Sequence, residues 1–301
     1  MFKGSIPALI TPFKNGEIDW PAFDNFVEWQ IDQGSHALVP VGTTGESPTL
    51  SHEEHKALVK RCVEITNKRI PVIAGTGSNS TREAVDFTQD AKAVGADAAL
   101  IVTPYYNKPT QAGLIEHYKK IAQSVELPIV IYNIPGRCII DMSVETMAEL
   151  AKLPNIVGVK DATNDLARPL ETALAIGNDF CQLSGEDATA AAFLAQGGHG
   201  CISVVANVAP ALSSQMHEAW QKRDMDTFAR IRDLLGPISK ALFIESSPAP
   251  VKYAASVLGL CSDEVRSPLM IATQNARSAV DEAMKHAGLQ SGSAGVLCGD
   301  H

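Results

Sequence analysis

Eight short apolar runs recur along the chain. They are SIPALITPF from residue 5, HALVPVG from 36, PVIAGTG from 71, AALIVTP from 98, PIVIYNIP from 128, NIVGVKDA from 155, FCQLSGED from 180 and GCISVVAN from 200. Each is apolar on consecutive rather than alternate positions, which predicts strands covered on both faces, as parallel strands between helices are. Their starts lie 20 to 35 residues apart, room for one strand, one helix and two loops. The intervening segments have helical spacing. In SHEEHKALVKRCVEITNK, Ser51 can cap a helix, Glu54 completes a capping box, and Leu58, Cys62 and Ile65 fall on one stripe. STREAVDFTQDAKAVGA is a second such segment, closed by Gly95.

A strand and helix repeated eight times predicts an α/β fold, the TIM (β/α)8 barrel. An open doubly wound sheet is the alternative, but its dinucleotide fingerprint should follow an early strand, and GTGSNS at 75–80 lacks the third glycine. After Asn207 the strand pattern stops and several helices follow, an extension beyond the eighth strand. The expected division is residues 1–208 for the barrel strands and helices, 209–287 for C-terminal helices that complete and extend it, and 288–301 for a flexible tail.

Composition narrows the function classes. Hydrophobic residues make up 45% and charged ones 20%, enough apolar area for a large core. A net charge of -9 with no cluster of Lys and Arg offers phosphate backbones no basic surface, so nucleic acid is not the expected partner. The six cysteines (Cys62, Cys138, Cys181, Cys201, Cys261, Cys298) contain no CxxC pair, which fits a reducing cytoplasm. No stretch reaches the roughly 18 apolar residues of a membrane span, and the N-terminus has too short an apolar run for a signal peptide. The expectation is a soluble, unprocessed cytoplasmic protein.

In a barrel the active site is built at the carboxyl ends of the strands, and here those ends are polar. The second run closes in Gly42-Thr43-Thr44-Gly45-Glu46, whose hydroxyls and backbone N–H groups suit a small carboxylate, or simply form a glycine turn with capping threonines. The fourth closes in Thr103-Pro104-Tyr105-Tyr106 and the fifth in Tyr132-Asn133-Ile134-Pro135-Gly136-Arg137. One tyrosine at a strand end is usually packing, whereas two in one barrel suggest a hydroxyl relay. Arg137 follows a Pro-Gly turn, and its planar fork matches a carboxylate or a surface acid.

The sixth run, IVGVKDA, ends in Lys160. A lysine deprived of water tends to shed its proton, and a free amine attacks a ketone to give a Schiff base. That imine is an electron sink, so a proton can leave the adjacent carbon and the resulting enamine can add to an aldehyde while a tyrosine hydroxyl carries protons. The bland reading pairs Lys160 with Asp161 or Glu186 as a structural ion pair. The neighbouring Thr43, Tyr106, Tyr132 and Arg137 favour chemistry. Hydroxyls and one amine, rather than clustered His and carboxylates, argue against a catalytic metal. The acidic SGED at the seventh run opposes a phosphate site.

GTTGE (42–46), YYNKPTQ (105–111), YNIPGR (132–137), GVKDAT (158–163), SGED (184–187) and GCISVVANV (200–208) together resemble the pyruvate-dependent family of dihydrodipicolinate synthases and N-acetylneuraminate lyases, in matching order from about residue 2 to 285. The resemblance implies Lys160 as the imine-forming lysine, and Thr43, Tyr106 and Tyr132 as the proton relay, Tyr106 reaching a neighbouring subunit's site. It further implies Thr44 on the pyruvate carboxylate, Arg137 on the relay and the second substrate, and Gly185 with the carbonyl of Ile202 lining the pocket. It implies no cofactor beyond the covalent pyruvate imine, and a homotetramer built as a dimer of dimers. Gly136-Arg137 match the dihydrodipicolinate synthase branch, which implies aspartate semialdehyde as the acceptor and 4-hydroxy-tetrahydrodipicolinate as the product, on the route to diaminopimelate and lysine.

His52 and His55 lie three apart in a first helical turn, but HEEH is not the HExxH of a zinc site and suggests no third ligand. By resemblance to lysine-inhibited members of the family, Ser47, His52, His55, Asn79, Glu83 and Tyr105 match a lysine-binding site at a dimer interface, implying feedback inhibition. The alternatives are another pyruvate aldolase on this scaffold, acting on sialic acid or 2-keto-3-deoxy sugar acids, and a noncatalytic small-molecule-binding barrel.

Overall fold

The computed structural model describes residues 1–289. The elements run β1 (Gly4–Pro7), a hairpin of β2 (Phe13–Lys14) and β3 (Glu17–Ile18), α1 (Trp20–Asp32), α2 (His52–Thr66), β4 (Ile73–Gly75), α3 (Thr81–Ala93), β5 (Ala98–Val102), α4 (Gln111–Ser124) and β6 (Ile129–Asn133). They continue through the one-turn α5 (Pro135–Cys138), α6 (Val144–Leu150), β7 (Ile156–Asp161), α7 (Arg168–Ile176), β8 (Cys181–Ser184), α8 (Ala190–Ala195) and β9 (Gly200–Ser203). Four helices close the chain: α9 (Pro210–Lys222), α10 (Met225–Ala241), α11 (Ala249–Val257) and α12 (Gln274–His286). From residue 290 onward the expected tail, with Cys298, lies outside the described residues.

Seven strands pair in parallel in the order β1-β9-β8-β7-β6-β5-β4. The run from His36 closes the ring as two single bridges, Ala8 to Val39 and Leu38 to Val72, with ladder bonds on both sides. It is short for a physical reason. Pro40 has no N–H to donate and Val41 takes φ of 51°, so the strand ends after two paired residues. The eight expected runs thus form a closed barrel. The hairpin was not expected, although its signal was present: Asn15-Gly16, both at positive φ, is the pair that a tight hairpin turn requires.

Strand residues alternate between two apolar layers. Ala98, Leu100, Val130, Tyr132, Leu183 and Ile202 fill the barrel interior, while Ala99, Ile101, Ile129, Ile131 and Val159 pack outward against the helices. Burial on both faces is what the consecutive apolar pattern required. Helix α2 begins as its sequence indicates, with Ser51 and Glu54 forming a reciprocal capping box and Leu58 and Cys62 buried on its inner stripe.

Three histidines are buried in this scaffold. Burial lowers the pKa of His55 and His117 from 6.5 to about 4, and that of His217 to about 3. A base whose folded pKa lies below its unfolded value contributes stability that is complete above pH 6.5 and drains as the pH falls toward the folded value. The urea midpoint is therefore expected to fall between pH 7 and pH 5, and less steeply in His217→Gln; a midpoint constant over that interval contradicts this assignment.

Candidate active site

Lys160 lies on β7 in register with Tyr132 of β6 and Leu183 of β8, both of which face the barrel interior. Strand alternation therefore sends the lysine inward, where it is 6% exposed, with Nζ 4.1 Å from the centre of the Tyr132 ring. Among the described residues the amine forms no hydrogen bond and no ion pair, and the ring face lies against its charge. Asp161, one residue on, points to the other side of the sheet and spends its Oδ1 on the Thr163 N–H at 2.8 Å and the Thr163 hydroxyl at 2.6 Å. Glu186 forms no ion pair with the lysine either. Burial, followed by the neighbouring Asp187 charge, pushes the Glu186 carboxyl pKa up, while Lys160 and Arg137 pull it down, so the three groups share one mouth. The structural ion pair considered for Lys160 is absent among the described residues.

Gly185 gives the lysine its path. A Cβ there would stand 2.8 Å from Ala162 Cβ and 3.1 Å from both the Asp161 carbonyl oxygen and Lys160 Cε, so a side chain at this position crowds the lysine arm and the strand end beside it. Its N–H donates to the Asp161 carbonyl at 2.6 Å, tying β8 to β7 directly beside the amine. Ile202, on β9, is buried in the same interior layer.

Thr43 and Thr44 ride on the turn that follows residues 38–39. Thr44 is 5% exposed and Thr43 half-buried. Gly45 N–H donates to the Gly42 carbonyl and Glu46 N–H to the Thr43 carbonyl, both at 3.1 Å, and the Thr11 hydroxyl clamps the Gly45 carbonyl at 2.7 Å. Arg137 lies on α5, exposed, and its guanidinium has no hydrogen bond or ion pair among the described residues. The loop after it is held by a network the sequence did not reveal. Asn133 Nδ2 donates to Asp141 Oδ1 at 2.7 Å and its Oδ1 accepts from Met142 N–H at 3.1 Å, while Arg168 grips both oxygens of Asp141 at 2.9 and 2.7 Å. Asn133 was legible only as a strand-end residue; Asp141 and Arg168 carried no local signal.

Tyr106 stands apart. Its φ is 70° and its ring is 91% exposed, outside the packed interior that holds Tyr132 and Lys160. The chain on its own gathers Lys160, Tyr132 and Gly185 in direct contact, with Thr43, Thr44, Arg137 and Glu186 on the surrounding strand ends.

Part of the second constellation lies together. His52 Nε2 is 2.7 Å from Glu83 Oε1, the Ser78 hydroxyl donates to Glu83 Oε2, and His55 stacks on Phe87 with ring centres 4.0 Å apart. Burial, then the Glu83 charge, raises the Tyr105 phenol pKa, with bonds to Asn79 and Ser78 opposing. Ser47 opens the short 3-10 turn Ser47–Thr49 ahead of α2.

A closed parallel barrel whose strand ends gather, among the described residues, an interior lysine, a tyrosine and several hydroxyls defines the TIM-barrel class, with its candidate active site at the carboxyl ends of the strands. The profile of the dihydrodipicolinate synthetase family matches residues 1–287. A curated 4-hydroxy-tetrahydrodipicolinate synthase of Rhodospirillum centenum is 66% identical over 289 residues, 96% of this chain and 99% of that protein. The chloride-inhibited dihydrodipicolinate synthase of Acinetobacter baumannii, solved with pyruvate, superposes with a TM-score of 0.93 at 46% identity over 96% of this chain and all of that one. The dihydrodipicolinate synthase of Cyanidioschyzon merolae, solved with lysine bound, gives 0.93 at 37% identity over 96% and 99%. The chain belongs to the dihydrodipicolinate synthetase family.

In Gly185→Ala the new methyl group crowds Ala162 and the Lys160 arm. Borohydride trapping of a small keto acid on the Lys160 peptide is expected to fall roughly tenfold, with near-ultraviolet circular dichroism retained; undiminished trapping contradicts the role given to this glycine.

Proposed function

We propose that this protein condenses pyruvate with L-aspartate 4-semialdehyde to 4-hydroxy-tetrahydrodipicolinate, through an imine on Lys160. The observation that carries this reading is the buried, unpaired Lys160 amine against Tyr132, in a chain 66% identical to a relative of that name. The amine attacks C2 of pyruvate, and the carbonyl oxygen leaves as water after receiving protons through the hydroxyls of Tyr132 and Thr43. The iminium draws electrons from C3, which loses a proton to the same relay and becomes an enamine. The enamine carbon attacks the aldehyde carbon of the second substrate, whose oxygen takes up a proton. The amino group of that substrate then adds to C2 and expels Lys160, closing the six-membered ring and freeing the enzyme. One water is released and no oxidant is needed. The electron sink is the covalent pyruvate imine itself.

Thr44 holds the pyruvate carboxylate in this scheme, Gly185 and the Ile202 carbonyl shape the pocket, and the unpaired Arg137 fork receives the carboxylate of the semialdehyde. A polyhydroxyl acceptor offers that fork no second carboxylate, which favours this acceptor over sugar acids. The 91% exposed Tyr106 ring supports a relay completed across an interface, in a homotetramer made of two tight dimers. Cytoplasmic residence fits five unpaired cysteines among the described residues and no helix there long and apolar enough to cross a membrane.

The cluster of His52, His55, Glu83, Asn79 and Tyr105, with Ser47 nearby in sequence, is proposed as a feedback site for lysine. Glu83 accepts the amino groups in place of His52, and Asn79 with Tyr105 holds the carboxylate.

Coupled turnover of pyruvate with aspartate semialdehyde, run beside sialic acid and 2-keto-3-deoxy sugar acids, should be seen for the semialdehyde pair alone and should drop by at least about a thousandfold in Lys160→Ala. Retained activity in that variant removes the assignment. Free lysine should slow the wild type and raise its melting temperature, and both responses should vanish in Glu83→Ala. A wild type indifferent to lysine in both assays eliminates the feedback site.

A further inference from the structure

The least expected charge in the molecule is a second buried lysine. Lys252, on α11, is fully buried, and its ammonium lies 2.5 Å from Glu46 Oε1, donates to the Glu264 carbonyl at 2.7 Å and sits 4.1 Å above the Phe13 ring. Burial lowers the Lys252 pKa, and the Glu46 charge opposes that shift. The other carboxylate oxygen of Glu46 accepts the Arg266 N–H at 2.9 Å, and the Arg266 guanidinium covers the same Phe13 ring at 4.4 Å. The Glu46 carboxylate is therefore held on both oxygens by the C-terminal extension.

Glu46 is also the last residue of the threonine turn. Its backbone takes φ of 58° and ψ of 35°, a left-handed conformation that a long side chain adopts only when its surroundings enforce it. Its N–H donates to the Thr43 carbonyl at 3.1 Å, and its own carbonyl accepts from Thr49 N–H at 3.0 Å and the Thr49 hydroxyl at 3.1 Å. One residue thus connects the side chain of Lys252 to the backbone of Thr43. Buried ion pairs are poor sources of stability, because desolvating both charges costs about as much as their attraction returns, and apolar replacement of both partners is often harmless to folding. What such a pair does supply is a fixed direction and length.

We infer that Glu46 and Lys252 are positioning residues, whose buried pair sets the Gly42–Glu46 turn and through it the hydroxyls of Thr43 and Thr44 at the barrel mouth. This rests on the imine-forming reading of Lys160. The C-terminal extension then has a part in the chemistry, delivered through the backbone from a lysine that touches no substrate.

The test is the double variant Glu46→Leu/Lys252→Met, which removes both charges at once. Melting should stay near that of wild type, and pyruvate trapped by borohydride at saturating concentration should still reach the Lys160 peptide, because β7 is untouched. The kcat should fall about a hundredfold, the scale of a catalytic group displaced by about an ångström. A purely structural pair would lower melting, trapping and kcat together. A folded double variant with kcat within about threefold of wild type overturns the inference. Should the double variant fail to fold, Glu46→Asp retains both charges and shortens the arm by one methylene; a kcat loss of about tenfold with trapping preserved supports the inference, and full kcat overturns it. Failure of the wild type itself to trap pyruvate defeats the imine reading instead, so the two failures are separate.

Discussion

A lysine placed on the inner face of a barrel strand must leave most of its water behind, and everything else at this mouth is arranged around that fact. Lys160 has an aromatic face beneath it and no acid paired with it. Had Asp161 turned inward, or Glu186 come within contact, the charge would have been held by a partner, and the nucleophile that the proposed scheme requires would have been lost. Strand alternation prevents the first, because adjacent residues face opposite sides of a sheet. The second is prevented by distance: Glu186 feels the lysine only as a field that competes with its own burial.

The surroundings of that amine are built from distant parts of the chain. Gly185 on the adjoining strand end leaves space for the lysine arm, Asn133 and Arg168 fix the loop behind Arg137 through Asp141, and the threonine turn is held from beneath by α11. Asn133, Asp141, Arg168 and α11 touch no reacting group in the proposed scheme, but each removes a freedom that the groups around Lys160 would otherwise have. Fixing those freedoms in advance is where much of the rate of a condensation between two small molecules comes from. The buried ionic pair is paid for by the large apolar core around it, which packs the barrel on both faces.

The barrel was legible because parallel strands covered on both sides leave a strong mark, consecutive Val and Ile runs at regular spacing. The capping box of α2 was equally plain. What the pattern did not convey was strand length. HALVPVG reads as a full strand, yet Pro40 and the left-handed Val41 cut it to two bridges, and Asn15-Gly16 turns a hairpin just beyond the first run, where the spacing marked no element. In the candidate site, Lys160 and Tyr132 stand at strand ends that the spacing picks out, whereas Gly185 was pointed to only by the resemblance of its motif. Glu46 was visible only as a letter in GTTGE, and Lys252, in a helix otherwise apolar, gave no sign that it would be buried against a residue 206 positions earlier, the span between 46 and 252. Long-range ion pairs have no local periodicity, so they are invisible to any reading based on spacing. The 91% exposure of Tyr106 is likewise a property of three-dimensional placement that the motif alone does not contain.

The central claim is that the Lys160 amine is the nucleophile. A crystal of the protein treated with pyruvate tests it most directly. The account predicts continuous density from Lys160 Nζ to the second carbon of the keto acid, with the carboxylate at the threonine turn. Unmodified Lys160 at full pyruvate occupancy, or a covalent bond to any other residue, would contradict it.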